Sequence, residues 1–344
     1  LRPSGGANGR NFDEIIRFLK LTAVSSNAGN TMLKESMLKR ATCTKTIAST
    51  GRSYTVVRPG LALAVYYATP LHKMVEAVEA MIDAFLMQIP ENSITAICGT
   101  TSWSKFSTAG LKRQLKRLQS KDVDYTNIDL GSGDLLASEG PYGLHVNGGN
   151  LANTLVRPNN TNVIYFEFPP DELSRVGSAS MVEWVVGIVE SHPFESAQFG
   201  FSFNQLQRTW TQEADSFVGN LAMSLQGFDV LEPALARVAR GYLPNCSWLT
   251  ILGEGLLEQL GGTQQLSKTF GPEIEQRLLK GGVLVQSGDS PAIGDVDGRS
   301  EDLRLIRVVA QATRPVRIVN RASNPVLLYG SESFRSNWLN RFDG

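Results

Sequence analysis

With 344 residues, 42 % of them hydrophobic and 19 % charged, the chain has the composition of a globular protein with a large core, in two average domains or one continuous body. Its 33 lysines and arginines balance 33 aspartates and glutamates, so net charge gives no support to a nucleic-acid binder or a membrane-surface protein. Cys43, Cys98 and Cys246 are odd in number, widely separated and without CxxC spacing, which argues for free thiols in a reducing compartment.

The opening LRPSGGANGR lacks the apolar core of a signal peptide and reads as disordered over 1–10. No later window approaches the roughly 18 apolar residues of a membrane span. NFDEIIRFLK (11–20) has helical spacing behind an Asn/Asp start, and ATCTKTIASTG (41–51) reads as a loop or an edge strand. In LALAVYYA (61–68), Leu61, Leu63, Val65 and Tyr67 alternate with small residues, which predicts a strand. Thr69 and Pro70 then open an amphipathic helix over 74–89, ended by Pro90. A strand over 94–106 and a basic helix over 111–119 follow. The order recurs as a strand over 163–168, a helix over 181–190 and a strand over 196–203. Further helices are expected over 207–224, 233–242 and 256–262, then a hairpin over 274–288 turning at 280–282. A helix over 301–316 and a terminal one over 333–342 complete the chain.

This pattern predicts an α+β fold with α/β character: a mixed sheet, or two adjoining sheets, with flanking helices and duplication of a strand-helix-strand unit. The expected organisation is one domain over 11–320, with similar halves at about 55–150 and 155–320, and a C-terminal extension over 321–344 carrying the short helix.

Little in the sequence has the spacing of chemistry. His72, His145 and His192 share no helix turn or short strand spacing, so they do not converge as metal ligands. No GxSxG elbow accompanies Cys246 or any serine, and no catalytic, metal or cofactor residue is assigned. The glycines of LGSGD (130–134) and YGLHVNGGN (142–150) lack the GxxxxGK[ST] order of a phosphate loop and read as turns. In KRQLKR (112–117) the charges lie opposite a stripe of Leu111, Leu115 and Leu118, which makes them a solvated face and speaks against direct nucleic-acid binding. Two acidic stretches stand out. GDSPAIGDVDGRSED (288–302) carries Asp289, Asp295, Asp297, Glu301 and Asp302 but lacks the regularity of a calcium loop, and Glu301 and Asp302 suit a helix N-terminus. KDVDYTNIDLGSGDLLASEG (121–140), with Asp122, Asp124, Asp129 and Asp134, is expected to be exposed.

NCSWLTILGEGLLEQLGG (245–262) is the most constrained stretch and contains almost no chemistry. Trp248, Leu249 and Ile251 suit a buried strand, Leu256, Leu257 and Leu260 the helix packed on it, and Gly261 and Gly262 a left-handed stop. SWLTILGEGLLEQLGG (247–262), GGVLVQSGDSPAIGDVD (281–297) and RLIRVVAQATRPVR (304–317), with RPGLALAVYYATP (58–70), YGLHVNGG (142–149) and GFSFN (200–204), resemble the TsiV-like immunity proteins of bacterial type VI secretion systems. The resemblance runs from about 55 to 320, and SGDSP (287–291) and the first 50 residues depart from it. Within these motifs Gly253, Gly288, Pro291 and Gly294 complete the structural signature of Trp248, Leu249, Gly261 and Gly262. The resemblance implies a cytoplasmic, non-enzymatic protein without a cofactor that binds and neutralises a cognate effector toxin. That toxin is expected to be a DNase-type nuclease with a restriction-endonuclease-like fold, blocked at its active or DNA-binding site, and a homodimer is compatible with this role. A nuclease cleft is basic, so the acidic residues named above are the expected partner-binding set. Two alternatives stay open: an effector-binding adaptor or chaperone, and a hydrolase.

Overall fold

The computed structural model describes residues 41–46, 51, 53–99, 102–121, 125–133, 140–151, 159–205, 212–230, 233–294, 303–318 and 332–343. The chain divides into Leu1–Ala41 and Thr42–Gly344, and every element below belongs to the second unit. The helix expected over 11–20 and the disordered stretch expected over 1–10 lie outside the described residues.

In chain order the strands are β1 (Cys43–Thr46), β2 (Ser53–Tyr67), β3 (Ala96–Cys98), β4 (Trp103–Lys105), β5 (Thr126–Gly131), β6 (Gly143–Gly148), β7 (Asn162–Phe168), β8 (Ser196–Gln205), β9 (Leu249–Gly253), β10 (Ile274–Leu279) and β11 (Gly282–Ser287). The helices are α1 (Val75–Gln88), α2 (Thr108–Leu118), α3 (Glu172–Val176), α4 (Ser178–Glu190), α5 (Gln212–Ala222), α6 (Glu254–Gln259), α7 (Thr263–Thr269), α8 (Arg304–Ala312) and α9 (Glu332–Leu339). All strands join one open sheet in the order β10-β11-β9-β8-β2-β7-β6-β5-β3-β4, with β1 paired to β2. Every pairing between named strands is antiparallel.

The α+β class stands, as one sheet rather than two. The topology gives the duplication no support: β3 lies four places from β2 in the sheet, whereas β8 lies two places from β7. Three local expectations also change. The strand over 94–106 is a hairpin of two short strands, β3 and β4. The helix over 233–242 shrinks to a 3-10 turn, Pro233–Arg237. The supposed turns and exposed acidic stretch around 126–131 and 143–148 are the buried strands β5 and β6.

The two faces of the sheet follow from strand alternation. Leu61, Leu63 and Val65 pair with Phe168, Phe166 and Ile164, which places all six on one face. There Phe85 of α1 and Trp184 of α4 meet Phe166 and Phe168 at ring-centroid distances of 5.1–5.8 Å, mostly edge-on. Each such pair adds about 0.5–1.5 kcal/mol to the burial of its rings. The opposite face of the same strands is polar. Asp129 pairs with His145, Glu167 with Ala62, and Arg58 with Asn204, so register alone brings these groups to one side. The second core, under β9 and β11, contains Leu252, Leu256, Leu260, Val283 and Val285, closed by Ile306 and Val309 of α8 and by Phe342. Gly261 takes a left-handed φ of 81° immediately after α6, the stop the sequence called for.

Candidate functional site

Helix α4 and the β10–β11 hairpin form the first site. Glu183 and Glu190 are seven residues apart on α4, two helical turns, and so share a face. Glu183 receives both guanidinium donors of Arg277 on β10, at 2.5 and 3.0 Å. Glu190 accepts the backbone N–H of Lys280 at the hairpin turn, at 2.7 Å. Gly281 supplies the φ of 94° that the turn requires. One helix thus holds the hairpin at two points. The Arg277 hydrogen bonds hold the Glu183 carboxyl below its ordinary range, and the same bonds raise the Arg277 guanidinium.

Between these elements lies a depression of about 400 Å³, lined by Glu183, Glu275, Gln276, Arg277, Gln286 and Asp289 among others. Arg277 is already paired with Glu183. The side chains of Glu275 and Asp289 have no ion-pair or hydrogen-bond partner among the described residues, so the depression presents two free carboxylates. Beside it β10 is the edge of the sheet, and Leu278 stands 74 % exposed there.

The loop that carries Asp289 is fixed from below. Trp248, fully buried, donates its indole N–H to the Gly288 carbonyl at 2.8 Å, and Gln286 donates to the same oxygen at 3.0 Å. Gly288 and Gly294 take φ values of 84° and 64°, Pro291 is buried, and Gly227 donates its N–H to the Ile293 carbonyl at 2.9 Å. Leu249 is buried in β9, and at Gly253 a Cβ would lie 2.5 Å from the Phe194 and Glu195 carbonyls, so the strand requires glycine there.

The second charged cluster is buried. His145 Nδ1 lies 3.1 Å from Asp129, and its Nε2 lies 3.8 Å from Glu167, which in turn accepts from Arg58 at 3.1 Å. Asn127 donates to the second Asp129 oxygen at 2.7 Å. Burial pushes the imidazole pKa down, but bonds and charge from Asp129 and Glu167 outweigh it and hold the ring at about 9. Burial lowers the Arg58 guanidinium, against the pull of Glu167. Two cations and two carboxylates balance each other, the pattern of a fold-specifying network. Gly143 leaves room for it, since a Cβ there would sit 3.0 Å from both Glu167 and His145.

The expected acidic set therefore divides. Asp289 is exposed on the depression. Asp129, expected to be exposed, is 1 % accessible because β5 turns it onto the charge-balanced face, and it cannot serve as a surface carboxylate. Asp122, Asp124, Asp134, Asp295, Asp297, Glu301 and Asp302 lie outside the described residues. The sequence reasoning missed Glu183, Glu190, Glu275 and Arg277. Their signals were present, as paired glutamates on the polar face of MVEWVVGIVE and alternating charge in IEQRLL.

Of the side chains weighed for catalysis, His72, His192 and Cys246 lie apart from both clusters. His72 and His192 line a common depression with Ser191, whose hydroxyl donates to the Ile188 carbonyl at 2.6 Å. The Cys246 thiol, 3.3 Å from Thr313, is buried, and burial pushes its pKa up.

Among curated proteins no sequence matches. The solved structure of Pseudomonas aeruginosa T6SS protein PA0821 shares the fold, with a TM-score of 0.71 at 17 % identity over 92 % of this chain and 90 % of that one. The profile of the TsiV family, described as type VI immunity for VRR-NUC, matches residues 77–342. No helix among the described residues is long and apolar enough to cross a membrane. With the profile spanning most of its length, the chain belongs to the TsiV family of type VI immunity proteins for VRR-NUC.

Proposed function

We propose that the protein binds a VRR-NUC nuclease effector in the bacterial cytoplasm and neutralises it by covering its active or DNA-binding cleft, without catalysis of its own. The family match over residues 77–342 is the observation that carries this reading. The depression between α4 and the β10–β11 hairpin supplies a surface of suitable charge. A cleft that holds phosphates is basic, and Glu275 and Asp289 offer carboxylates in their place. The acidic residues Asp295, Asp297, Glu301 and Asp302 follow Asp289 in the chain and extend the proposed toxin-facing set.

Co-expression with the cognate nuclease tests the role, and calorimetric titration at two salt concentrations tests the surface. Wild type restores growth to toxin-producing cells. Glu275→Gln with Asp289→Asn weakens binding at least about tenfold, with a smaller salt dependence, while the protein stays folded. Binding without rescue would make the protein an adaptor or chaperone instead. Single alanine variants of His72, His192 and Cys246 that still fold retain rescue; loss of rescue with binding intact would point to an enzymatic mechanism.

A further inference from the structure

Where β2 and β6 end and β7 begins, the loops are tied together by one buried side chain. Asn162, with no exposed surface, accepts the Gly149 N–H at 2.7 Å and donates to the Thr69 carbonyl at 2.7 Å and the Gly149 carbonyl at 3.2 Å. The Leu71 N–H adds a bond to the Gly149 carbonyl at 3.1 Å. Gly148 has no alternative residue, since a Cβ there would lie 1.9 Å from the Asn162 oxygen. The NGG of the 142–149 motif therefore fixes these loops, a role that the immunity reading leaves unused.

Beside these loops lies an open depression of about 610 Å³ lined by His72, Lys73, Lys121, Asn150 and Arg240, with no carboxylate among its described lining residues. Lys73, Lys121 and Arg240 make no side-chain hydrogen bond or ion pair with any described residue. Asn150 donates to the Lys121 carbonyl at 2.6 Å and so positions that lysine's backbone. His72 Nδ1 is buried without a hydrogen-bond partner. Leu151, at the rim, has a φ of 53°, an outlier for a bulky side chain that its surroundings must hold in place. Lys73, Lys121 and Arg240 thus bring three like charges to one depression without an ion-pair partner among the described residues.

We propose that this pocket binds the phosphate group of a nucleotide-sized phosphomonoester. A planar guanidinium and two ammonium groups match a phosphate dianion. The volume falls within the few hundred to about 1,000 Å³ typical of small-molecule sites.

Calorimetry on the full chain at low salt tests this with 5′-AMP, adenosine, inorganic phosphate and citrate. The expected result is a Kd below about 1 mM for 5′-AMP, with inorganic phosphate weaker and adenosine and citrate weaker still by at least about tenfold. Arg240→Ala weakens 5′-AMP by at least about tenfold with an unchanged melting temperature. If that variant fails to fold, Lys73→Ala with Lys121→Ala, both on exposed side chains, carries the test with the same expected loss. Lys112→Ala with Lys116→Ala on α2 leaves binding unchanged. Adenosine or citrate binding as tightly as 5′-AMP, inorganic phosphate matching it, an equal loss in the α2 variant, or no binding at about 10 mM each overturns the proposal.

Discussion

The indole of Trp248 hydrogen-bonds the carbonyl of Gly288, 40 residues further along the chain, and that bond joins the most constrained stretch of the sequence to the loop presenting Asp289. The tryptophan also packs on Phe199 with ring centroids 5.8 Å apart. Scaffold and candidate surface are thus mechanically continuous, although no residue of the motif itself lines the depression.

Trp248→Ala is expected to destabilise the protein by about 3–5 kcal/mol, the range for emptying a buried aromatic site. Trp248→Phe keeps most of the packing and removes the donor, leaving Gln286 to satisfy Gly288, so about 1 kcal/mol is expected. Denaturant midpoints measure both, and an unchanged midpoint in Trp248→Ala would rule out the anchoring role.

Stability should fall as pH rises through the alkaline range. His145 has a folded pKa of about 9 against 6.5 for the free side chain, so its contribution is complete below pH 6.5 and lost as pH climbs through 9. At 1.36 kcal/mol per unit this is on the order of 3 kcal/mol. His145→Gln should be less stable at pH 6 and show a flatter profile from pH 6.5 to 9. A wild-type profile already flat in that window would count against a charged His145.

The C-terminal helix is held through a buried charge. Arg341 stacks over Trp338 and Phe342, bonds the Gln226 carbonyl at 2.9 Å and lies 3.9 Å from Asp229. Asp229 also accepts from Val230 N–H at 2.8 Å and Asn245 at 2.7 Å. Asp229→Ala should cost about 3–5 kcal/mol, because Arg341 remains buried without its counter-charge. The double variant Asp229→Asn with Arg341→Met should lose less than the sum of its single changes, as a double-mutant cycle would detect. Strict additivity would show the two groups to be uncoupled.

Arg277→Ala should barely move the melting temperature, since its pair with Glu183 is solvent-exposed on both sides. It should also release the Glu183 carboxylate into the depression, making it more acidic. Association with a cationic toxin is then expected to be faster at low salt and to converge with wild type at high salt, as surface plasmon resonance can follow. A slower association would place the guanidinium itself in the interface.

The elements the sequence determined are those whose pattern is local. Leu61, Leu63 and Val65 alternate with Ala62 and Ala64, α1 repeats its apolar face every turn, and the hairpin turning at Gly281 combines alternation with a left-handed glycine. Each signal survives whatever packs against it. Strands β5 and β6 were illegible for the opposite reason. Asp129 and His145 are buried because register places each beside the charge that neutralises it, with Glu167 and Arg58 arriving from strands distant in sequence. No window contains that compensation, so polar residues read as surface. The depression has the same origin, since Glu183 and Arg277 are 94 positions apart and meet only when α4 packs beside an edge strand. Composition could supply the carboxylates; only the tertiary structure decided that Asp129 is spent inside the fold while Glu275 and Asp289 remain free.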